Sequence, residues 1–349
     1  MMDAVSEPAS RLFTTEFSQL SALVQKRLDV EWHYHQRSNL AGPVLQELIE
    51  YADDFGRMLK VVFRHSLLDA LRQEAEWYAR VLTARGRGGI SFAALLESWI
   101  VVIQGVLKPP ECNELSHPLQ RLHRDLPQLL QRSEDALKSD IDRKISPLVE
   151  VLIRGDAEGA LDVVSRLIGS GKSMDQVIVD GILPAMSEVG FLWERRRLDI
   201  FQEHLATETV RCLLAGVVWT FKTVVSSPQR TALVSCVPGD KHDLVPLALW
   251  ACLMIRGWTV RNLGTGLPAD QIARAAAAFS PDIVFLVLTL LSRLDDALET
   301  IAMLRKYTPD LPIVIGGRGA EAARVVLERT GASVAHDFEE AFRMLPGAS

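Results

Sequence analysis

Three patterns of hydrophobic and polar residues follow one another along the chain. From about Phe17 to Leu130, apolar residues recur at helical spacing, as in LQELIEYADDFGRMLKVVF and SFAALLESWIVVIQGVL, with almost no strand-like alternation. GRGGIS at 86–91 and KPPECNELSHP at 108–118 interrupt this pattern, because glycine and proline end helices. The pattern predicts an all-helical N-terminal domain over residues 1–135, with helices long enough to pack as a bundle or a globin-like fold.

Helical spacing continues through residues 140–225, but in shorter segments. The connections RGDAEG, GSGKS and RRRLD are short, so consecutive helices should be antiparallel neighbours. A four-helix bundle is therefore predicted, followed by the linker SSPQR at 226–230. The predicted helices are Ile141–Arg154, Glu158–Ile168, Met174–Arg196 and Ile200–Val224.

Over residues 230–349 strand-like and helical segments alternate. The strand-like segments are TALVSCV, WTVRNL, IVFLVLTL, PIVIGG and ASVAH. Five such units predict a parallel five-stranded sheet with helices on both faces, an α/β flavodoxin-like (Rossmann-like) domain. The predicted helices are Leu244–Ile255, Ala269–Phe279, Leu294–Tyr307 and Ala320–Glu328.

Composition narrows the class of protein. Of the 349 residues 48% are hydrophobic, and the formal net charge is −6. A negative balance argues against a nucleic-acid backbone as the main partner, so no direct nucleic-acid binding is expected. The first residues contain no apolar signal region, and the longest apolar run, Ile283–Leu288 with TLL after it, is too short to span a bilayer. We therefore expect a cytoplasmic protein that does not enter a membrane.

The motifs of common enzymes and metal sites are absent. The four cysteines have no CxxC spacing and lie mostly in apolar runs, which favours buried free thiols over disulfides or zinc ligands. There is no GxSxG, P-loop or HExxH, and no GxGxxG after a strand. We therefore expect a protein that is not an enzyme.

Candidate binding chemistry lies where three predicted strands end. Ligands of such a sheet bind outside the carboxyl ends of its strands. A neutral imidazole nitrogen is a good metal ligand, and its other N–H needs an acceptor, which a carboxylate two residues away can supply. Glycines let a ligand approach the backbone, and a threonine offers a hydroxyl. The residues concerned are Asp240 and His242, Thr289 and Leu291, and Gly316 and Gly317.

These residues carry a resemblance to a known family. GDKHDLV, with TLL at 289–291 and IGG at 315–317, looks like the cobalamin-binding signature DxHxxG…SxL…GG of the methionine-synthase type of B12 domain. In the bundle, VGFLWERRRLDIFQEHLATE resembles the W…EH motif of the CarH-type, B12-dependent photoreceptors. Together the resemblance covers roughly residues 140–345.

The resemblance implies roles for individual residues. It makes His242 the lower axial ligand of cobalt, with Asp240 as its hydrogen-bonding partner. Trp193 would cap the upper axial group, with Glu203 and His204 beside it. The slot for the displaced dimethylbenzimidazole tail would be lined by Thr289, Leu291, Gly316 and Gly317.

Two positions depart from the pattern of the family. Val245 stands where the signature has glycine, so the backbone approach there is bulkier. Glu194 follows Trp193 directly, where CarH-type proteins have the histidine that takes the upper position after photolysis. A light-formed bis-histidine adduct would then require His204 in its place.

Simpler interpretations remain for these residues. His242 could be a loop histidine bonded to Asp240 alone, and Trp193 has the helical spacing of an ordinary core residue. The glycine pair at 316–317 could form only a strand-to-helix turn.

The N-terminal domain resembles the photocobilins in architecture alone. These proteins join an all-helical domain of globin size to a B12 domain and pair cobalamin with a bilin. A biliverdin pocket would be sought at the segment WHYHQR at 32–37 and at Arg64, His65, Trp77, Tyr78 and Trp99. An interface or a partly exposed helix face would explain the same segment.

The resemblance predicts a light sensor that binds cobalamin as adenosylcobalamin. Light would break the cobalt–carbon bond, and the bundle would then move relative to the sheet, changing domain packing or the state of a homo-oligomer. The output would pass to a separate protein, since no effector motif is present. Two alternatives stay open: a corrinoid shuttle protein of a methyltransferase system, and a haem-binding sensor on the same fold.

Overall fold

The computed structural model describes residues 5–35, 43–84, 88–139, 145–221 and 230–346. The chain divides into two compact units, residues 1–143 and 144–349. The first unit is helical, and the second contains a helical bundle and a five-stranded sheet. The predicted fold class is confirmed, whereas the limits of the three predicted domains, and a globin-like arrangement of the first, stay predictions.

Long helices form the described part of the first unit. The helical pattern extends further than the sequence predicts at both ends, because the first helix begins at Glu7 and the last ends at Ser139. The helices are α1 (Glu7–His35), α2 (Pro43–His65), α3 (Leu68–Ala84), α4 (Gly88–Val106) and α5 (Glu111–Ser139).

Two predicted interruptions are shorter in the structure than in the sequence. The break at 108–118 ends before Glu111, and α5 continues through Pro118 and Pro127. Leu115 and Leu119 are fully buried on either side of Pro118, so packing outweighs the hydrogen bond that a proline removes. In the break at 86–91, residues 86–87 lie outside the described residues, and residues 88–91 already belong to α4.

The second unit begins with the predicted four-helix bundle. Short side-chain caps mark the connections: Ser146 accepts a hydrogen bond from the N–H of Val149, and Asp156 accepts one from Gly159. The first predicted helix starts later than expected, at Pro147, and residues 141–144 lie outside the described part of the chain. The helices are α6 (Pro147–Leu152), α7 (Ala157–Gly169), α8 (Met174–Val177) with α9 (Leu183–Glu194), and α10 (Ile200–Phe221).

A π-helical turn, Ile178–Ile182, joins α8 to α9. The sequence predicts one uninterrupted helix there, because a π turn keeps the helical direction and leaves the apolar pattern nearly unchanged. Its effect is to shift the register of the helix that follows, and such turns occur often near functional sites.

The sheet has the strand order β2-β1-β3-β4-β5, and all its strands are parallel. This is the flavodoxin-like order, with the switch point between β1 and β3. Every residue of the central β3 is buried, as expected for a strand covered on both faces. The strands are β1 (Thr231–Cys236), β2 (Thr259–Asn262), β3 (Ile283–Val287), β4 (Ile313–Gly316) and β5 (Ser333–Ala335).

The first three predicted helices of this domain have the predicted limits. They are α11 (Leu244–Ile255), α12 (Ala269–Phe279) and α13 (Leu294–Tyr307). The predicted helix Ala320–Glu328 is wrong as one element, since it forms α14 (Arg318–Ala322) and α15 (Arg324–Glu328). A final helix that the sequence analysis missed, α16 (Phe338–Arg343), starts where Asp337 caps the N–H of Glu340.

Helix α11 belongs to both layers of this unit. Its sequence LVPLALWACLMI has no charged residue, as expected of a helix that is buried all round. Ala248, Ala251 and Cys252 pack into the bundle core, whereas Leu249 and Leu253 pack into the sheet core. The bundle and the sheet therefore share this helix.

No described helix combines the length and the apolar character needed to cross a membrane.

Candidate functional site

The loop after β1 is built around the carboxylate of Asp240. This side chain is fully buried, with 0% of its surface exposed. One oxygen accepts hydrogen bonds from the backbone N–H and the Nδ1 of His242, at 3.1 and 2.7 Å. The other accepts the backbone N–H groups of Thr289 and Leu290, at 2.5 and 3.2 Å. One carboxylate thus orients the histidine and joins the loops after β1 and β3.

The charge of Asp240 fixes the tautomer of His242. Burial raises the pKa of this carboxyl, but the hydrogen bonds from His242 and from the N–H of Thr289 outweigh burial, and the resulting pKa lies below the ordinary value. An ionised Asp240 accepts a hydrogen bond from Nδ1–H, so the lone pair lies on Nε2. The side chain of His242 is 52% exposed, and Nε2 is therefore the ring nitrogen that can bind a metal.

A cavity of about 460 Å³ lies between this loop and the bundle. Its lower wall comes from the segment after β1 and the end of β3, and its upper wall comes from α9 and α10. The residues that line it are Leu183, Met186, Ser187, Glu203, Thr207, Lys241, His242, Asp243, Leu244, Val245 and Thr289.

The hydroxyl of Thr289 fits a ligand in this cavity. Its oxygen Oγ1 is buried and has no hydrogen-bond partner. Buried hydroxyls are nearly always paired, so an unpaired one beside a cavity indicates a missing polar group. The donor set of the lower wall, a histidine nitrogen and a threonine hydroxyl, fits a cofactor that carries its own metal and has polar side groups.

Gly317 lets the loop after β4 pack closely against the loop after β3. It has φ +112°, and a Cβ on it would lie 2.4 Å from the carbonyl oxygen of Leu288. Gly316 is less restricted, since its Cβ would lie 3.4 Å from the nearest atom, the carbonyl oxygen of Ala335. The close approach at Gly317 is thus to the backbone after β3. Its role as the wall of a ligand slot stays a prediction.

Gly319 is a further position where close packing requires glycine, and it was not among the predicted residues. A Cβ there would lie 3.0 Å from the backbone of Leu290 and Leu291. Its N–H donates to the carbonyl of Thr289 at 3.1 Å. The signal in the sequence was GGRG, in which the third glycine follows the first two at short spacing.

On the upper wall Glu203 is the one acidic residue of α10 that lines the cavity. Its carboxylate accepts the hydroxyl of Thr207 at 2.9 Å and pairs with Nδ1 of His204 at 2.7 Å. The side chain of His204 lines a separate groove, together with Ile200 and Phe201. The predicted pair Glu203–His204 is therefore in contact, but only Glu203 lines the cavity.

Several predicted residues lie outside the lining of this cavity. Trp193, at the end of α9, is half-buried and packs against the bundle core, as the simpler interpretation holds. Glu194 is the last residue of α9, and Leu291 is buried at the start of a 3₁₀ turn. The structure brings together Asp240, His242, Val245, Thr289 and Glu203 of the predicted set.

Of the eleven residues that line the cavity, the sequence analysis named four, and it missed seven, including Lys241, Asp243 and Leu244 on the lower wall. Thr207 could have been found, because it follows Glu203 by one helical turn. Leu183, Met186 and Ser187 carried no signal, since their register depends on the π turn before them.

A protein-built metal centre is absent from the described residues. Nowhere in them do three His, Cys, Asp or Glu side chains come close enough to hold a metal ion. The cysteines are free; Cys212 is exposed, contrary to expectation, and the other three are buried. Burial raises the pKa of Cys236 and Cys252 to about 12. His242, whose Nδ1 is bound to Asp240, could hold a metal through Nε2.

The residues considered for a bilin have other roles where they are described. Trp99 is fully buried, stacks on Phe17 and donates to the carbonyl of Ala52 at 3.3 Å. Tyr78 is also buried, and its hydroxyl donates to Asp54 at 2.8 Å. Both are core side chains.

The rest of this set is only partly described. In the segment at 32–37 the side chains of residues 32, 34 and 35 and all of residues 36–37 lie outside the described part. His33 is exposed and contacts the carbonyl of Asp29 at 2.7 Å. Arg64 and His65 end α2, and Trp77 packs edge-on against Tyr51.

Two family models match residues of the second unit. Residues 230–345 match a model described as a B12 binding domain, and residues 145–215 match a second model with the same description.

Among curated proteins, the HTH-type transcriptional repressor CarH of Myxococcus xanthus is 30% identical over 175 residues, which cover 50% of this chain and 56% of CarH. The repressor CarA of the same organism is 32% identical over 196 residues, which cover 53% of this chain and 62% of CarA. The chain thus spans less than two thirds of the length of either relative. The methanol–corrinoid protein of Methanosarcina barkeri is 21% identical over 178 residues, covering 50% of this chain and 68% of that protein.

Among solved structures, the monomethylamine corrinoid protein of Methanosarcina barkeri aligns with 18% identity and a TM-score of 0.47. The alignment covers 56% of this chain and 94% of that one.

Proposed function

We propose that this chain, whose residues 145–215 and 230–345 match models of B12 binding domains, is a regulatory protein of the CarH type that holds cobalamin between its bundle and its sheet. One observation carries the proposal: a histidine oriented by a buried carboxylate presents Nε2 to a cavity that the bundle closes from above. A cofactor with its own metal needs only this one protein ligand.

The residues of both walls would have distinct roles. His242 would hold the cobalt through Nε2, in the tautomer that Asp240 maintains. Thr289 would donate or accept a hydrogen bond at the edge of the cofactor. Glu203, with Thr207, would face its upper side. Bound adenosylcobalamin would supply a cobalt–carbon bond that light can break.

The proposed signal is a movement of the upper wall. A volume of about 460 Å³ is typical of sites for drug-sized ligands, and a corrinoid is much larger. A corrinoid would therefore extend beyond this cavity or displace the bundle wall, and the position of that wall would depend on the group above the ring. We propose that light changes this position, and with it the state of a homo-oligomer or the contact with a separate downstream protein.

The regulatory role follows the relatives named as transcriptional repressors. The proposal includes neither a nucleic-acid contact, since the net charge of −6 disfavours one, nor a bilin, since Trp99 and Tyr78 are packed in a core. A corrinoid shuttle of a methyltransferase system is the alternative, and the relative named as a corrinoid protein is less similar than the repressors.

Reconstitution in the dark tests the proposal. The full chain is mixed separately with adenosylcobalamin, methylcobalamin, haem and biliverdin, and each sample is passed over a sizing column before and after illumination. We expect cobalamin to co-elute and the elution volume of the adenosylcobalamin complex to change with light. Failure of cobalamin to co-elute would refute cobalamin binding. Co-elution with no light response, together with methyl transfer to a partner enzyme, would favour the shuttle.

A further inference from the structure

Helix α11 is joined to the bundle by an ion pair at each end. At its N-terminus, Arg211 of α10 donates two hydrogen bonds to the carboxylate of Asp243, at 2.7 and 3.1 Å. At its C-terminus, Nε of Arg256 donates to Asp175 of α8 at 2.5 Å. The two pairs are similarly exposed, 37% and 25% for the first and 37% and 21% for the second. They differ in position, because only the first lies at the cavity.

The carboxylate of Asp243 is committed to Arg211 rather than to its own helix. Asp243 is the N-cap of α11, a position where an aspartate usually accepts an N–H of the first turn. Here the side chain makes no such bond. The helix gives up a cap, and the loop gains a fork-shaped contact with the bundle.

The position of Arg211 on α10 links this contact to the cavity. Glu203, Thr207 and Arg211 follow one another at four-residue spacing and so lie on one side of the helix. The first two line the cavity, and the third binds the residue directly after His242. One face of α10 therefore forms part of the upper wall and also binds the lower loop through Arg211.

We propose that the Arg211–Asp243 pair is a clasp that fixes the His242 loop to the bundle and sets the position of His242 for the metal. The inference rests on the proposed binding of cobalamin. Arg211 is a positioning residue, since it acts through Asp243 and the backbone of the loop. While the Arg211–Asp243 pair is intact, His242 keeps its place, and the part of α10 near Glu203 can move away from the loop.

The test compares Arg211→Gln with Arg256→Gln in the full chain. Dissociation of cobalamin is followed in the dark after mixing each complex with an excess of an unrelated cobalamin-binding protein. Loss of an outer-shell partner of a metal ligand typically costs 10–100-fold in affinity. Arg211 contacts the neighbour of the metal ligand rather than the ligand itself, so we expect the low end of this range, dissociation about tenfold faster in Arg211→Gln, and no change in Arg256→Gln. Equal dissociation rates in the two variants would overturn the clasp.

A second measurement needs no cofactor. Hydrogen exchange of the amides at 240–245 in the cofactor-free protein should be faster in Arg211→Gln than in the wild type or Arg256→Gln. Equal exchange would overturn the proposal. If the wild type does not retain cobalamin, the proposed function fails, and this exchange still decides whether the clasp exists.

A double-mutant cycle separates the ion pair from a general loss of folding. Asp243→Asn should reproduce the exchange of Arg211→Gln, and the double variant should exchange no faster than either single variant, because both changes break the same contact. Additive effects would contradict a clasp formed by these two residues.

Discussion

The two walls of the cavity are stabilised in different ways. On the lower wall, Asp240 joins residues far apart in the sequence, since its partners include His242 and the backbone after β3. On the upper wall, Glu203 is held by Thr207 and His204 of its own helix. The geometry of the lower wall is therefore set by its own loops, whereas Glu203 can move with the part of α10 that lies away from the Arg211–Asp243 pair. This difference suits a site with a fixed metal ligand below and a responsive surface above.

The largest effect is expected from Asp240→Ala. Truncation leaves the partly buried N–H groups of Thr289 and Leu290 without this acceptor and releases His242. Because an unpaired buried group costs about 1–3 kcal/mol, the free energy of unfolding of the sheet should fall by about 3 kcal/mol. Native-state hydrogen exchange of the amides of β1 and β3 measures this quantity. Asp270→Ala on α12 is the control, because this half-exposed side chain contacts Gln271 and Arg274 of its own helix. An equal loss in both variants would contradict the central role of Asp240.

Gly317→Ala tests the join between the loops after β3 and β4. Its Cβ would meet the carbonyl oxygen of Leu288, and its φ of +112° is unfavourable for alanine. The expected loss in free energy of unfolding is about 2 kcal/mol, measured by the same exchange.

Gly316→Ala is the matched control for this glycine. Its Cβ would have an ordinary contact at 3.4 Å, so the loss should be well under 1 kcal/mol, roughly the scale of a tolerated surface change. Similar losses at both glycines would show that the lower wall tolerates a side chain at Gly317.

The smallest effects come from two threonines, one on each wall. Thr207→Val removes a hydroxyl that binds Glu203, so the free energy of unfolding should fall by about 1 kcal/mol.

Thr289→Val removes a buried hydroxyl without a partner, so thermal stability of the cofactor-free protein should stay the same or rise. Cobalamin affinity of Thr289→Val should fall about fivefold, the loss of one hydrogen bond. Unchanged affinity would remove Thr289 from the site.

More of the fold than of the site could be predicted from the sequence. Apolar strands and helices of ordinary length determined the order of elements, so that α11, α12 and α13 have the predicted limits. The failures came where packing outweighs local preference. Pro118 lies inside α5 because its neighbours are buried, and the helix predicted at Ala320–Glu328 is divided near Ala323.

The Asp240–His242 pair of the lower wall was predictable, whereas only Glu203 of the upper wall was named in advance. Asp240 and His242 lie two residues apart in one loop, so their contact follows from local geometry. Which residues of α9 face the cavity depends on the π turn before Leu183, and that turn leaves no mark in the hydrophobic pattern. Trp193 was a candidate by resemblance, and its side chain packs against the bundle core.

The central claim is that Nε2 of His242 binds the cobalt of a bound cobalamin. Electron paramagnetic resonance of the cob(II)alamin complex tests it directly, because a nitrogen ligand splits the cobalt lines. Protein grown with ¹⁵N-histidine should change the triplet splitting of each line to a doublet, and His242→Ala should lose the histidine splitting. A spectrum that does not respond to the histidine label would contradict the account.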